Sequence, residues 1–373
     1  MPRRIAVLGL LAAGLWGCGS TADTVVQGGG ATETGNGVHI RVVGSDGKPV
    51  PSIPVDLVRT DTWLRDVAAT GSPKVVHLVT NASGTARIDS LPTGSWAAQS
   101  ESDAQAGRIV LTKDSVPQQL SLQPVHAVSV RLSGNADADL RVVGTDWRSR
   151  PDALGRSVFL LPPGPQALVT RHDTDLTPAA NLAVAASPLD TTISVIPGRL
   201  LLDDFATRNG HTSLSLYTGI GHWYTNSWGT RIYSELDSLD ASYQGLLSMR
   251  YVSSDTNSSA LAGIAFADQT GFRTLDFSKL DSLCFDARGN GKVDLYFIQY
   301  GTNGAWMRSV NSAIAGLDTA WNHYCIAPAQ FDAAAWDSVK TRADDITFMA
   351  RRGDFLQLRN LVLWGVPLQD LGR

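Results

Sequence analysis

Residues 294–300 read Asp-Leu-Tyr-Phe-Ile-Gln-Tyr, and this stretch decides the fold class of the C-terminal half. Successive side chains of a β-strand point to opposite faces of its sheet. Asp294, Tyr296, Ile298 and Tyr300 therefore share one face. If Leu295 and Phe297 fill the core, Tyr296 and Tyr300 are on the side open to a ligand. This alternation predicts a half-buried β-strand.

Similar short runs, separated by turns rich in glycine, asparagine and aspartate, fill the chain after residue 200. They span residues 214–216, 245–251, 260–267, 282–286, 323–326, 345–350 and 356–364. Many short strands at this spacing predict a β-sandwich or jelly roll, and we expect no long helix between them.

The composition extends this expectation to the whole chain. Among 373 residues there are 35 glycines and 17 prolines, but only three glutamates and six lysines. Glutamate and lysine favour helices, whereas glycine and proline favour turns. We therefore predict an all-β protein, with one or two immunoglobulin-like sandwiches followed by a jelly roll. With a net charge of −4, nothing electrostatic suggests nucleic acid, so we expect no nucleic-acid partner.

Residues 1–18 have the pattern of a signal peptide. Two arginines precede an apolar run that is too short to cross a bilayer, which takes about 20 residues. The run ends in Leu-Trp-Gly-Cys, which resembles the lipobox of bacterial lipoproteins. The resemblance implies a lipid on Cys18 and attachment to a membrane. The alternative is an ordinary secretory signal with a chance cysteine.

The residues after Cys18 refine this expectation. Gly19 follows the cysteine, and among bacterial lipoproteins the absence of aspartate there implies the outer membrane, facing either the periplasm or the medium. Residues 19–36 are rich in glycine, serine and threonine and are expected to form a flexible tether.

Two further cysteines, Cys284 and Cys325, remain once Cys18 carries the lipid. An even pair in an oxidising compartment predicts a disulfide. The alternative is two separate buried thiols.

Residues 37–123 contain an ordered set of turn motifs: Asp-Gly-Lys-Pro-Val at 46–50, Thr-Asn-Ala-Ser-Gly at 80–84 and Leu-Pro-Thr-Gly at 91–94. The set resembles the carboxypeptidase regulatory-like domain, which implies a seven-stranded sandwich that acts as a spacer without catalysis. Residues 124–198 partly repeat it. Residues 141–146 echo 41–46, and 155–164 echo 84–94, which predicts a second, degenerate sandwich. The alternative is chance similarity between turn-rich segments.

Residues 199–373 carry a second ordered set: Leu-Asp-Asp-Phe at 202–205, Gly-His-Trp-Tyr at 221–224, residues 275–283, and Trp-Asn-His-Tyr-Cys at 321–325. The set resembles the galactose-binding-like jelly rolls that include the family 11 carbohydrate-binding modules. In that family a β face lined with tyrosine and tryptophan binds β-glucan chains.

Aromatic rings offer apolar platforms to sugar rings, and polar side chains around them bind the hydroxyl groups. The candidate carbohydrate-binding residues are Trp223, Tyr224, Trp228, Tyr296, Tyr300, Trp306 and Arg308. For each of them the alternative is packing in the core or against the sandwich edge.

Related jelly rolls carry a structural calcium ion near the opening strand. Asp203 and Asp204 would supply its oxygen ligands. Arg359 stands where the family pattern has an aspartate, which opposes this possible structural Ca²⁺ site.

No catalytic motif is present. The histidines are scattered, without an H-E-x-x-H pair, and there is no G-x-S-x-G elbow. We expect a non-catalytic lipoprotein of the cell envelope that binds polysaccharide or glycan. One alternative is a structural lipoprotein that contacts other envelope proteins without sugar binding. Another is a cryptic glycan-active enzyme, because the many aspartates could supply its two acidic groups.

Overall fold

The computed structural model describes the chain from residue 37 to residue 371 with short gaps. The gaps are residues 103, 113–116, 134–137, 206–209, 229, 235–244, 254–258, 269–270, 302–304 and 352. The predicted signal peptide, Cys18 and the predicted tether lie outside the described residues. Within the described ranges, no helix has both the length and the apolar character needed to cross a membrane.

Residues 38–124 form a sandwich of two sheets with one helix. Its elements are β1 (Val38–Val43), β2 (Pro54–Arg59), α1 (Trp63–Thr70), β3 (Val75–Val79), β4 (Thr85–Ile88), β5 (Trp96–Glu101), β6 (Gln105–Val110), β7 (Gln118–Ser121) and β8 (Gln123–Pro124). The sheets have the strand orders β4-β1-β7 and β3-β2-β5-β6-β8. Ile40, Leu57 and Leu120 are fully buried in the core of this sandwich.

Helix α1 is not among the predicted elements, and its sequence explains why it forms. Trp63, Leu64, Val67 and Ala68 recur at helical spacing, and all four are buried. Gly71 ends the helix in the left-handed conformation at φ 74°, where its N–H donates to the Val67 carbonyl. These eight residues therefore have a helical period.

Residues 126–194 form a second sandwich. Its strands are β9 (His126–Ser133), β10 (Asp139–Val142), β11 (Arg148–Ser149), β12 (Arg156–Leu161), β13 (Gly164–His172), β14 (Asp175–Val184) and β15 (Leu189–Ser194). Its sheets have the orders β12-β9-β15 and β11-β10-β13-β14. In both sandwiches the first strand pairs antiparallel with the fourth and parallel with the seventh.

The sequence echo matches this shared strand order in one of its two parts. Gly84 and Gly155 each precede the fourth strand of their sandwich, with φ of 72° and 71°. The echo between residues 41–46 and 141–146 instead aligns the end of β1, a first strand, with the end of β10, a second strand. That part of the predicted repeat is wrong, because similar strand endings occur at different places in the order.

Residues 199–364 form the third and largest sandwich. Its elements are β16 (Arg199–Asp203), α2 (Ser215–Thr218), β17 (His222–Trp228), β18 (Thr230–Ser234), β19 (Leu247–Ser253), β20 (Ser259–Ala265), β21 (Ala267–Asp268), β22 (Gly271–Phe272), β23 (Ser282–Gly289), β24 (Lys292–Tyr300), β25 (Trp306–Ala313), β26 (Asn322–Ile326), α3 (Ala333–Val339), β27 (Asp345–Arg351) and β28 (Phe355–Trp364). Short 3-10 helices span Pro328–Gln330 and Leu368–Leu371.

Two antiparallel sheets face each other in this third sandwich. One has the order β18-β19-β28-β23-β26, with β16 also paired to β28, and the other has the order β17-β20-β27-β24-β25. Phe285 and Phe348 meet edge to face between them at 5.0 Å. The prediction of an all-β chain that ends in a jelly roll is confirmed.

One predicted strand in this region is wrong. Residues 214–216 lead into helix α2, because Leu214 and Tyr217 lie three residues apart and are buried together. Gly219 then ends the helix at φ 73°.

The predicted disulfide is confirmed. Cys284 of β23 lies directly opposite Cys325 of β26, and the two sulfur atoms are bonded. The alternative of two separate thiols is therefore wrong.

Helix α1 ties the three sandwiches together. The Trp63 indole donates to the Thr145 carbonyl of the second sandwich at 2.8 Å. In return, the Arg171 guanidinium donates to the Val67 carbonyl at the end of α1 at 2.9 Å. Helix α1, β13 and the 3-10 helix at the C-terminal end share one buried hydrophobic cluster. The first two sandwiches are thus packed into the same body as the third.

Candidate functional site

The outer face of the sheet β17-β20-β27-β24-β25 carries aromatic side chains on three of its strands. Tyr224 of β17 lies opposite Gly263 of β20, and Tyr296 of β24 lies opposite Thr347 of β27. Tyr300, at the end of β24, lies opposite Trp306 of β25. The alternation predicted for β24 is therefore present, and Leu295 and Phe297 lie on the core side.

These rings form a connected series with exposed ends. The Trp306 ring lies 5.5 Å from the Tyr296 ring and 6.5 Å from the Tyr300 ring. Phe272, on the short hairpin β21–β22, stacks on Tyr300 at 5.3 Å with an interplanar angle of 21°. Trp306 is 41% exposed and Phe272 is 50% exposed. We call the set Tyr224, Phe272, Tyr296, Tyr300 and Trp306 the aromatic face.

Sequence reasoning missed Phe272. Its signal is weak, because a single phenylalanine beside Gly271 in a short turn carries no strand period. Only the fold brings the hairpin over β24.

Polar groups join the aromatic face from beneath. The Tyr224 hydroxyl lies 3.3 Å from the Tyr300 hydroxyl and 3.0 Å from Thr347 Oγ1. Trp306 Nε1 donates to the Tyr300 hydroxyl at 3.1 Å. Thr347 Oγ1 in turn donates to Asp345 Oδ1 at 2.5 Å. The tyrosine hydroxyls are thus fixed by neighbouring side chains.

Asp345 is fully buried below these hydroxyls. Burial raises the pKa of this carboxyl to about 7, because the charged form loses its hydration. Its Oδ2 atom has no hydrogen-bond partner among the described residues. Burial also raises the pKa of the neighbouring Asp344 to about 6, although both of its oxygens accept from the Tyr300 N–H.

Tyr296 is mostly covered, at 9% exposure. It packs with Leu261, Ile298 and Met349 in a small apolar cluster on the outer side of the sheet. Arg351 reaches its hydroxyl at 3.4 Å. Tyr296 therefore supports Trp306 more than it faces solvent.

Trp223 does not fit the predicted ligand-facing role. It is 7% exposed and belongs to the main core, where its ring lies 5.1 Å from that of Phe205. Its Nε1 donates to Asp203 Oδ2 at 2.5 Å. Strand alternation explains the result, since Trp223 and Tyr224 are neighbours and must point to opposite faces.

Arg308 likewise turns away from the aromatic face. A register shift in the β24–β25 pairing places Tyr300 opposite Trp306 but Gln299 opposite Arg308. Arg308 then donates to the Ser338 carbonyl of α3 at 3.2 Å. Two residues apart on one strand, Trp306 and Arg308 would share a face in a regular pairing, but this bulge separates them, so the candidate Arg308 does not join the aromatic face. Trp228 pairs with Ser259, and its side chain lies outside the described residues.

The surroundings of Asp203 do not fit a calcium ligand. Its Oδ1 accepts from the Phe205 N–H and from the N–H and hydroxyl of Ser213, at 2.9 to 3.3 Å. Its Oδ2 accepts from Trp223. Calcium requires six to eight oxygen ligands, whereas these neighbours present hydrogens. Asp204 accepts from the same Ser213 hydroxyl at 2.9 Å.

One further group of possible metal ligands occurs in the described ranges: Cys284, His323 and Cys325. The two cysteines form the disulfide, so neither is a thiolate ligand. No metal is proposed at either place.

Comparisons with known proteins find similarity to solved structures over part of the chain. No protein-family model matches the sequence, and no curated protein matches it. Among solved structures, a family 11 carbohydrate-binding module of a Clostridium thermocellum cellulosomal cellulase is 17% identical, with a TM-score of 0.33, over 45% of this chain and 95% of that one. The same family's module in complex with a β-1,3-1,4-mixed-linked tetrasaccharide has a TM-score of 0.34 and 17% identity, over 46% and 97% of the two chains.

A second family gives a similar result. A family 29 carbohydrate-binding module complexed with mannohexaose is 16% identical, with a TM-score of 0.29, over 46% of this chain and 94% of that one. The chain resembles these proteins in part of its length, and the likeness concerns architecture.

Proposed function

We propose that this protein is a membrane-anchored, non-catalytic lipoprotein that binds polysaccharide or glycan through the aromatic face of its third sandwich. One observation carries the proposal. Phe272, Tyr300 and Trp306 form a continuous series of rings, and its two ends are exposed on the outside of a sheet whose other side is core. Exposed aromatic rings in contact with one another are typical of binding surfaces.

The chemistry of the face suits a sugar chain. The exposed sides of Trp306 and Phe272 offer apolar platforms for the C–H groups of pyranose rings. The hydroxyls of Tyr224 and Tyr300, which lie 3.3 Å apart, can donate to or accept from sugar hydroxyls. Because neighbouring side chains hold the tyrosines, little ordering is needed when a ligand binds.

A second candidate function is protein interaction. Met307 is 59% exposed beside Trp306, which extends the apolar surface beyond what a sugar ring covers. A methionine next to a tryptophan is also common where proteins meet. In that case the face would contact another envelope protein, and no polysaccharide would bind.

Affinity electrophoresis of the full-length protein through gels that contain β-glucan, xylan or mannan tests the proposal. We expect retardation by at least one polysaccharide, its loss in Trp306→Ala and its retention in Trp321→Ala. Trp321 is a matched control, because it is a half-buried tryptophan covered by the Arg359 guanidinium at 4.3 Å and it flanks the opposite sheet. Absence of retardation by every polysaccharide contradicts the proposal. Release of reducing sugar from any of them would instead indicate an enzyme.

The anchor is tested separately. Cys18→Ser should move the protein from the membrane fraction to the soluble fraction. The double variant Cys284→Ser with Cys325→Ser should remain with the membrane. Retention of Cys18→Ser in the membrane fraction would contradict lipidation at this residue.

A further inference from the structure

A cleft of about 700 Å³ lies where the three sandwiches meet, and none of the residues of the aromatic face line it. Its walls come from residues 59–65 of the first sandwich, 142–144 of the second and 215–220 of the third. This size is typical of small-molecule sites, which span about 300 to 1,000 Å³.

The charged residues that line the cleft are mostly cationic. They are Arg59, Arg65, Arg108, Arg273 and a single carboxylate, Asp61. Arg59 uses that carboxylate, since its guanidinium donates to both Asp61 oxygens at 2.8 and 3.1 Å. The lining therefore has an excess of three positive charges in a chain whose net charge is −4. A cleft lined by charges of one sign attracts ligands of the other.

Arg108 is an exposed arginine of the cleft wall, and most of its donors are available to a ligand. Its guanidinium carries five N–H donors, yet within the described ranges its hydrogen bond is to the Val143 carbonyl, at 3.2 Å. No carboxylate pairs with Arg108 among the described residues. The pKa of Arg59, in contrast, is raised by its hydrogen bonds to Asp61.

Two glycines leave the space that the guanidinium groups of Arg108 and Arg59 occupy. Gly144 has φ 69°, and a β-carbon there would lie 2.4 Å from a terminal nitrogen of Arg108. Gly94 has φ 149°, and a β-carbon there would lie 2.9 Å from both Arg59 Nε and Asp61 Oδ2. Both glycines come from the turn motifs at 141–146 and 91–94. Each guanidinium therefore lies against backbone where a side chain would exclude it.

We propose that this cleft binds an acidic saccharide through its carboxylate or phosphate group, with Arg108 as the principal donor. A guanidinium presents paired donors that match both carboxylate and phosphate geometry. The Asn181 amide and the Thr60 hydroxyl also line the cleft, and they suit the neutral hydroxyls of such a ligand. The cleft is separate from the aromatic face, so an experiment can contradict one of the two binding proposals without affecting the other.

Calorimetric titration of the full-length protein at low salt tests this site with glucuronate, glucose 6-phosphate and glucose. We expect saturable binding of at least one of the two anions and none of glucose, and the stronger of the two anions identifies the preferred group. Arg108→Gln should weaken the binding about tenfold or more. Arg131→Gln is the matched control, because Arg131 is an exposed arginine on β9 outside the cleft.

Gly144→Ala provides a second variant, which should displace Arg108 and weaken anion binding while glycan retardation is unchanged. Trp306→Ala should leave anion binding intact. Equal binding of glucose, absence of saturable binding by both anions, or full affinity in Arg108→Gln would overturn the proposal.

Discussion

The ring of Tyr224 lies across the α-carbon of Gly263, so that a β-carbon at residue 263 would come within 2.5 Å of the tyrosine Cζ. It would also lie 2.6 Å from Thr347 Oγ1. The tyrosine therefore occupies space that only glycine leaves on the neighbouring strand. The position of Tyr224 in the aromatic face therefore depends on the absence of a side chain at residue 263 of the neighbouring strand.

Gly263→Ala should consequently damage both the face and the fold. We expect weaker glycan retardation and a loss of about 1–3 kcal/mol in the free energy of unfolding, because the core-like packing around Tyr224 has no spare volume. Urea denaturation and affinity electrophoresis measure the two effects. Gly44→Ala is the control, since its β-carbon would meet the flexible Asp46 carboxylate at 3.2 Å. Wild-type affinity and stability in Gly263→Ala would contradict this account.

The stability of the protein should fall as the pH rises from about 4 to 7. Burial raises the pKa of Asp345 to about 7 and that of Asp203 to about 6, from an ordinary value of 3.8. Between those values the folded protein keeps protons that the unfolded chain has lost, so unfolding releases protons and becomes easier at higher pH. Above about pH 7 the decline should level off.

Asp345→Asn isolates the largest of these contributions. The variant should be more stable than the wild type at pH 8, by about 1–3 kcal/mol, and show a flatter pH profile. Thermal melts from pH 4 to 8 measure the difference. Asp89→Asn, at an exposed carboxylate, should reproduce the wild-type profile. A wild-type slope in Asp345→Asn would refute the assignment.

Removal of the disulfide should destabilise the third sandwich. Cys284 and Cys325 are 41 residues apart, and closing a loop of that length contributes roughly 4 kcal/mol in the chain-entropy model. The double serine variant should show that loss in urea denaturation. A reducing agent should lower the stability of the wild type and leave the variant unchanged. Equal free energies of unfolding for the variant and the oxidised wild type would exclude a stabilising role of the disulfide.

Arg171→Met should weaken the junction between the first and second sandwiches. Arg171 donates to the Val67 and Ala68 carbonyls at 2.9 and 3.3 Å, in the last turn of α1. We expect a loss of about 1–3 kcal/mol and a broader or divided calorimetric transition. Arg131→Met, on the same sandwich, should melt like the wild type. An unchanged single transition in Arg171→Met would show that the contact is dispensable.

Local patterns in the sequence predicted much of the fold. The alternation at 294–300 gives strand β24 with the tyrosines on the outer face, and the paired cysteines give the disulfide. Residues 214–216 were wrongly predicted as a strand, because so short an apolar run fits a strand and a helix equally well. Tertiary packing decides between the two.

The candidate site was less predictable, because it depends on register between distant strands. A single bulge sends Arg308 to the opposite side from Trp306, and nothing in the local sequence marks it. Phe272 reaches Tyr300 only through a hairpin that folds back over β24. The arginine-lined cleft is formed by three sandwiches, so no single segment could indicate it.

Tyr300 is restrained from every side before any ligand arrives. Phe272 stacks on its ring, Tyr224 and Trp306 contact its hydroxyl, and Asp344 accepts from its backbone N–H. Freezing a free side chain on binding costs about 0.5–1.5 kcal/mol, and this residue has little left to lose. Binding at this ring should therefore carry a small unfavourable entropy. Substitutions that remove the contacts of its neighbours should therefore make the binding entropy less favourable, even though the Tyr300 ring itself is unchanged.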